Sequence, residues 1–318
     1  MDVMLYVLHS RCKTLYPMKR RLGEIIQQNS TSLGVAGDFI ALTKPRLLLM
    51  VLVSCGTGFY LALTTTIDLV MLIHVLIGTT LIGAAANCLN QCYEAIPDSL
   101  MERTQGRPIP SKKLSRNEAG VFGIIISIIG FTYLTIAVNW TAVFIGFLTW
   151  GIYLFIYTPM KQKSVLNTWA GSVVGALPPL IGWAASGEKL GAEAWTLFAI
   201  LYFWQFPHFF ALSWMYKEDY QKGGFRMLSF YDETGKRTGF HIISNTLILA
   251  VVSLAPFQLE QFSWIYLPTA ILLGLLFVSF SFAFHIRPSF ERARQTFRYS
   301  IAYLPLLLLA MILDKAIL

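Results

Sequence analysis

Long apolar segments alternate with short polar segments along most of the chain. A helix needs about 20 mostly apolar residues to cross the hydrocarbon core of a bilayer, and each segment has roughly that length. The pattern therefore predicts an all-α membrane protein with nine transmembrane helices. The apolar segments cover residues 46–66, 69–91, 119–137, 140–157, 166–185, 194–214, 239–257, 264–285 and 299–317.

Proline interrupts three of these segments. Pro178 and Pro179 lie in the fifth, Pro207 in the sixth and Pro256 near the end of the seventh. Proline removes a backbone donor, so a neighbouring helix must satisfy the carbonyl that is left free. We expect these helices to be broken or kinked, with ends displaced by several residues.

Composition and charge agree with a membrane location and indicate an orientation. Hydrophobic residues make up 55% of the chain, charged residues only 13%, and the mean hydropathy is +0.58. Of the 25 lysines and arginines, 23 fall on one predicted side, and the other two are Lys189 and Lys315. The positive-inside rule then places the N-terminus on the cytoplasmic or matrix side. We therefore interpret the net charge of +8 as orientation and contact with anionic lipid, not as nucleic-acid binding.

The N-terminal residues and the cysteines carry weaker signals. Residues 1–37 are basic and are expected to form a cytoplasmic arm, with a transit-like leader as the alternative. Residues 38–318 hold the membrane domain. Cys88 and Cys92 are four residues apart, but no third soft ligand accompanies them, so we expect small-residue packing and not a metal site.

A polar stretch, NQCYEAIPDSLMERTQGRPIP, directly follows the second apolar segment. Asn90, Glu94 and Asp98 recur every four residues in it, so on a continuing helix they would share one face. Oxygen ligands without His or Cys suit Mg²⁺, which binds through one or two carboxylates together with substrate phosphates. Pro97 is expected to break or kink the helix just before Asp98. The alternative is a solvated loop whose charges only cap the helix.

Basic residues and a second loop extend this pattern. Arg103 and Arg107 follow, again four residues apart, and a guanidinium group can bind two phosphate oxygens at once. The loop after the sixth segment, WQFPHFFALSWMYKEDYQKGGFRML, again ends an aromatic helix with acidic and basic residues, on the same predicted side. Two polar loops on one face of the membrane, each following an apolar helix, would suit a molecule with a charged head outside the bilayer and a hydrocarbon tail within it. A prenyl diphosphate is such a molecule. Motifs for nucleotide hydrolysis, dinucleotide binding and zinc proteolysis are absent from the sequence.

These two loops resemble those of the protoheme IX farnesyltransferases, a branch of the UbiA superfamily of intramembrane prenyltransferases. The stretches YTPMKQKSVLNTWAGSVVGALPPLIGWAA and YLPLLLLAMILDK and the first match, ALTKPRLLLMVLVSCGTGFYLAL, add to the resemblance, which covers residues 38–318. It implies nine helices around a central cavity. It also implies Mg²⁺-dependent transfer of a farnesyl group from farnesyl diphosphate to a vinyl group of heme b, giving heme O and diphosphate. A heme A synthase would then accept the product.

The resemblance also implies roles for single residues. Asn90, Glu94, Asp98 and Asp219 are expected to bind the metal, and Arg103, Arg107, Lys161, Asn167 and His208 the substrates, with Asp98, His208 and Asp219 as catalytic residues. Two departures stand out, because Glu94 replaces the usual Asp and Gly223 stands where many relatives outside the heme branch have a second Asp. A second fully ligated Mg²⁺ is therefore not expected.

Aromatic and imidazole side chains complete the set of candidates. Tyr153, Tyr157, Trp204 and Trp214 could stabilise an allylic cation, although interfacial belts use the same residue types. His208 lies inside a helix, where it could bind heme iron, hold a propionate or move a proton.

Two other functions stay open at this point. One is prenyl transfer to an aromatic acid or quinone precursor, and the other is heme binding or transport without catalysis. The expected location is a bacterial inner membrane, with the mitochondrial inner membrane as the alternative.

Overall fold

A computed structural model describes residues 34–64, 66–259, 262–263 and 265–317 of the protein. Most of the predicted N-terminal arm therefore lies outside the described residues. The described chain consists of helices joined by turns and loops and contains no strand. The longer helices are α1 (34–42), α2 (Pro45–Ala62), α3 (Leu69–Tyr93), α5 (Arg116–Ala137), α6 (Trp140–Gly151), α8 (Asn167–Ala176), α9 (Pro178–Ala185), α10 (Ala192–Met215), α12 (Lys236–Val252), α14 (Tyr266–Ile286) and α15 (Phe290–Ile317). The shorter ones are α4 (Ala95–Leu100), α7 (Thr158–Lys163), α11 (Lys217–Lys222) and α13 (Ala255–Gln258).

Seven helical spans of the described chain are long and apolar enough to cross a membrane. They correspond to the first four and the last three predicted segments, and they are Pro45–Ala62, Leu69–Tyr93, Arg116–Ala137, Trp140–Lys163, Lys236–Gln258, Tyr266–Ile286 and Phe290–Ile317. The fourth runs past its predicted end because a π-helix, Ile152–Tyr157, joins α6 to α7. The fifth and sixth predicted segments are helical as well, but they are not among these seven spans.

The three segments that contain proline respond to it differently. The fifth is split into α8 and α9, and Pro178 begins the second half, where its missing N–H has no helical partner to lose. The sixth, α10, instead runs unbroken through Pro207. The seventh is broken between α12 and α13, with Pro256 in the first turn of the second part. The predicted breaks therefore occur at two of the three proline sites.

Glycine allows a close backbone contact between α2 and α9. A Cβ atom on Gly58 would lie 2.0 Å from the carbonyl oxygen of Pro179, and one on Gly182 would lie 1.8 Å from the carbonyl oxygen of Cys55. Backbone meets backbone here, so no side chain can replace either glycine without separating the helices. The contact places α9 against the first long helix of the bundle.

Helix α15 contacts α2 at the end of the bundle remote from the charged loops. Lys315 donates hydrogen bonds to the carbonyl oxygens of Leu61 and Leu63, just where α2 ends. The adjacent Asp314 is fully buried and accepts from the backbone N–H groups of Ser263 and Tyr266 at the start of α14. These two side chains therefore tie α15 to both α2 and α14.

Cys88 and Cys92 pack as predicted. Both thiols are free and buried, in a small apolar cluster with Leu42 and Leu114. The thiol of Cys92 lies 3.6 Å from the carbonyl oxygen of Arg116. These contacts pack the last turns of α3. The charged end of the bundle begins there and consists of residues 93–116, 158–167 and 215–237.

Candidate functional site

The predicted stripe of oxygen ligands forms where α3 continues into α4. The N–H of Glu94 donates to the carbonyl oxygen of Asn90 at 2.9 Å, and the N–H of Asp98 donates to that of Glu94 at 2.8 Å, so helical spacing is kept across the junction. Helix α3 ends at Tyr93, four residues before Pro97, because proline has no N–H for that carbonyl and its ring crowds it. The side chains of Asn90, Glu94 and Asp98 are all buried.

Each of these three side chains meets its own basic side chain from a different part of the chain. Nζ of Lys44, just before α2, donates to Oδ1 of Asn90 at 2.9 Å. Nζ of Lys161, in α7, lies 2.7 Å from Oε1 of Glu94. Nη1 of Arg107, in the loop after α4, lies 2.6 Å from Oδ2 of Asp98. We call these six residues the charged cluster.

Positive charge is in excess within the charged cluster, since three bases face two carboxylates. Burial and the neighbouring Arg107 lower the pKa of Lys44 to about 7. Burial acts to raise the pKa of Glu94, but Lys161 and Lys44 outweigh it, so that pKa lies below its usual value. The carboxylate therefore stays ionised, and a strongly anionic ligand would relieve the repulsion among the bases.

The charged cluster also offers an unused oxygen to a metal ion. Oδ1 of Asp98 is buried and has no hydrogen-bond partner within the described chain. Among the described residues, no three His, Cys, Asp or Glu side chains come close enough to bind a metal by themselves. Asn90, Glu94 and Asp98 supply hard oxygen donors, which fit a Mg²⁺ ion that takes its other ligands from water and phosphate.

The π-helix Ile152–Tyr157 brings two aromatic rings to the charged cluster. Tyr153 and Tyr157 stack with their ring centroids 5.7 Å apart, and Nζ of Lys161 lies 4.5 Å from the centroid of Tyr157. The hydroxyl of Thr158 donates back to the carbonyl oxygen of Tyr153 and accepts from the amide of Asn90 at 3.0 Å. A short π-helical segment is a local irregularity that often occurs at functional sites.

Asp219 joins the two predicted loops through the backbone. Its carboxylate accepts from the N–H groups of Glu102 at 2.7 Å and Arg103 at 3.3 Å. The exposed Lys222 and Glu102 form an ion pair at 2.6 Å across the same gap. The guanidinium group of Arg103 lies over the ring of Tyr220, 5.5 Å from its centroid. The structure thus places Asp219 and Arg103 together, in contact with the loop that follows Asp98.

Asn167 lies beside the charged cluster and fastens two loops to each other. Its amide donates to the carbonyl oxygens of Ser164 and Arg226, at 2.7 and 2.9 Å. The N–H of Arg226 in turn donates to the carbonyl oxygen of Lys161 at 2.7 Å. Asn167 therefore holds the segment that carries Lys161 and is positioned to act on the site through it.

His208 occupies a separate place, between α10 and α15. Its Nδ1 lies 2.8 Å from the hydroxyl of Ser300, and its ring packs against Trp204 and Phe297. No contact within the described residues joins it to the charged cluster. The structure therefore places His208 apart from the predicted site residues of the charged cluster.

Lys44 is the member of the charged cluster that sequence reasoning missed. The chain there adopts the left-handed conformation, with a φ of 53°, which turns the lysine from α1 into the bundle before Pro45 starts α2. The amide of Gln91 donates to the carbonyl oxygen of Leu42 and holds this turn against α3. The available signal was the pair Lys44-Pro45 at the charged end of the first long apolar segment.

Comparisons with other proteins show the family and the fold. Residues 51–306 match the UbiA prenyltransferase family. A protoheme IX farnesyltransferase from Solibacter usitatus is 42% identical over 287 residues, which cover 87% of this chain and 98% of that protein. Among solved structures, a digeranylgeranylglyceryl phosphate synthase shares the fold with a TM-score of 0.77 at 18% identity, covering 90% of this chain and all of that one. A UbiA homolog from Archaeoglobus fulgidus bound to DMAPP and Mg²⁺ has a TM-score of 0.66 at 15% identity, covering 88% of this chain and all of that one.

Proposed function

The chain is an integral membrane protein that belongs to the UbiA prenyltransferase family and to its protoheme IX farnesyltransferases, and we propose the following reaction for it. It transfers the farnesyl group of farnesyl diphosphate to a vinyl group of heme b, with formation of heme O and release of diphosphate. The fold is that of the UbiA prenyltransferases, and the pairing of acidic and basic side chains in the charged loops supports prenyl transfer. The identity of the acceptor is supported by the relative at 42% identity.

The pairing within the charged cluster is the observation that carries this proposal. Lys44, Lys161 and Arg107 reach one short stripe of oxygen ligands from three different segments. A solvated loop that merely caps a helix would leave its carboxylates exposed, whereas Glu94 and Asp98 are buried. Buried bases in excess of buried acids suit a polyanion, and a diphosphate supplies oxygen atoms to all three bases.

We propose that Asp98, Glu94 and Asn90 hold Mg²⁺, beginning at the unpartnered Oδ1 of Asp98. The same ion is present in the structure of the Archaeoglobus fulgidus homolog. The chemistry that a bound Mg²⁺ supplies is neutralisation of charge on the diphosphate as the allylic C–O bond breaks. Because Asp219 already accepts two backbone hydrogen bonds, we propose that it contributes mainly by holding the loop of Arg103 closed over the site.

Different residues of the protein stabilise the negative charge that develops on the diphosphate and the positive charge that develops on the farnesyl carbon. Arg107, Lys161 and Lys44 are fixed before the reaction, so they stabilise the leaving diphosphate without reorganising. Arg103 adds a guanidinium group in the loop that follows Asp98. The stacked rings of Tyr153 and Tyr157 lie next to these bases and present electron-rich faces to the farnesyl carbon as it becomes positive. Each desolvated ring of this kind contributes on the order of 1–2 kcal/mol.

The topology completes the proposal. Seven described spans together with α8–α9 and α10 give nine crossings, with the N-terminus and the charged end of the bundle on the cytoplasmic side of a bacterial inner membrane. The prenyltransferase domain is residues 38–318, preceded by a basic arm at 1–37. His208 serves the heme substrate, and a heme A synthase accepts the product.

Incubation of the purified full-length protein with both substrates tests the reaction. The protein in lipid nanodiscs receives farnesyl diphosphate and Mg²⁺ with either heme b or 4-hydroxybenzoate, and released diphosphate and product mass are measured. A farnesylated heme formed only with heme b supports the proposal. Farnesylated 4-hydroxybenzoate, or no diphosphate release with either acceptor, would contradict it.

A further inference from the structure

The imidazole of His208 is held rigidly in the interface of α10 and α15. Its ring stacks on Trp204, with centroids 4.9 Å apart and planes inclined by 26°, and meets the ring of Phe297 at 4.7 Å. The indole N–H of Trp204 donates to the carbonyl oxygen of Ser300 at 2.7 Å, which fixes the two helices relative to each other. The orientation of the imidazole is therefore set by packing before any ligand arrives.

The hydroxyl of Ser300 decides which nitrogen of His208 carries the proton. It lies 2.6 Å from the carbonyl oxygen of Phe297 and 2.8 Å from Nδ1 of His208. A carbonyl oxygen cannot donate, so the single hydroxyl proton of Ser300 points to Phe297. The hydrogen bond to His208 then needs a proton on Nδ1, and in the neutral imidazole Nε2 is left with a lone pair.

Nothing in the described part of the chain uses that lone pair. The hydrogen bond of the ring is at Nδ1, and Nε2 has no partner among the described residues. The buried polar side-chain atoms without partners belong to Asp98, Trp150, Thr238 and His285, so Nε2 of His208 is not sealed inside the protein. An unprotonated, accessible Nε2 with a hydrogen-bonded Nδ1–H is the arrangement that metal-binding histidines use.

We propose that Nε2 of His208 is an axial ligand of the iron of heme b and that Ser300 is the positioning residue that selects the ligating tautomer. The proposal rests on the proposed function, since heme b is the acceptor there. Coordination to a rigid imidazole would hold the porphyrin on the α10–α15 side, apart from the charged cluster that binds diphosphate. Trp204 and Phe297 flank the imidazole and offer apolar surface to the porphyrin ring.

Iron and metal-free porphyrins separate ligation from simple packing. The full-length protein in nanodiscs is titrated with ferric heme b and with metal-free protoporphyrin IX, and the iron–histidine stretch of the ferrous complex is recorded by resonance Raman spectroscopy. We expect His208→Ala to abolish the iron–histidine stretch and to weaken heme binding about 10- to 100-fold. Binding of the metal-free porphyrin should stay within about twofold, because only the coordinate bond is lost. Added imidazole should restore an iron–imidazole signal in His208→Gly.

Ser300 gives the second readout. Ser300→Ala should retain the iron–histidine stretch but lower its frequency, because the Nδ1–H loses its acceptor, and Ser300→Thr should restore it. His74→Gln is the matched control, since His74 also binds a hydroxyl, that of Tyr133, but should leave every spectrum unchanged. An unaltered stretch in His208→Ala, or an equal loss of both porphyrins, would overturn the assignment. If wild-type protein also forms no farnesylated heme, the proposed function fails; if product forms normally, only the ligation is wrong.

Discussion

Arg107 and Asp98 form the shortest ion pair of the charged cluster, with Nη1 of the arginine 2.6 Å from Oδ2 of the carboxylate. The second oxygen of the same carboxylate, Oδ1, is buried and has no partner in the described chain. Leaving a buried carboxylate oxygen unpaired costs free energy, commonly about 1–3 kcal/mol. A residue that keeps such an atom unsatisfied at the end of a helix is poised for a ligand.

Replacement of Asp98 tests the metal assignment. Asp98→Asn keeps the shape of the side chain but removes the charge that Mg²⁺ requires, so turnover should fall by about two to three orders of magnitude. Asp38→Asn is the control, because Asp38 pairs with Lys113 at 3.6 Å outside the charged cluster. Initial rates at saturating Mg²⁺, together with size-exclusion profiles, provide the measurement. Wild-type turnover in Asp98→Asn would rule out Asp98 as a metal ligand.

Replacement of Arg107 tests diphosphate binding. Arg107→Ala removes a charge-assisted hydrogen bond, so farnesyl diphosphate should bind more weakly by roughly 1.5–3 kcal/mol. Affinity for heme b should be unchanged, because His208 lies elsewhere. Arg116→Ala, at the exposed start of α5, is the charge-matched control and should leave both affinities alone. Calorimetric titration of each substrate separately gives the comparison, and equal losses for both substrates would argue against two separate binding regions.

Lys44 should make the stability of the protein depend on pH. Burial lowers its pKa in the folded protein to about 7, whereas the unfolded chain keeps a value near 10.5. Between these values the unfolded state binds more protons, so the free energy of unfolding rises with pH. Lys44→Met lacks this contribution. The melting temperature of wild type minus that of Lys44→Met, measured without Mg²⁺, should therefore increase as the pH is raised through this window, and a difference that stays constant would contradict the buried position of Lys44.

Reporter fusions test the orientation. A reporter inserted after Lys113 or after Lys222 should be found on the cytoplasmic side, and one beside Lys189, between α9 and α10, on the opposite side. The last position is decisive, because it requires α8 and α9 to cross the membrane together although each is short. If reporters at Lys113 and Lys189 were found on the same side, the arrangement with nine crossings would be wrong.

The sequence by itself determined the membrane class, most of the helices and the spacing of Asn90, Glu94 and Asp98. These features depend on local rules: about 20 apolar residues cross a bilayer, and residues four apart share a helix face. Pro97 was expected to disturb the helix before Asp98, and the disturbance falls at Tyr93, one turn earlier, where proline leaves a carbonyl without its donor.

Only the tertiary structure decided which charges meet. Lys44 is 46 residues from Asn90, and Lys161 is 67 from Glu94, and no periodicity relates residues on separate helices. The close contact of α2 with α9 and the π-helix that turns Tyr157 and Lys161 inward depend on packing between elements. The same holds for the tautomer of His208, which is fixed by a serine 92 residues away. A sequence shows which side chains can carry charge or bind metal, but their hydrogen-bond partners are set by long-range packing.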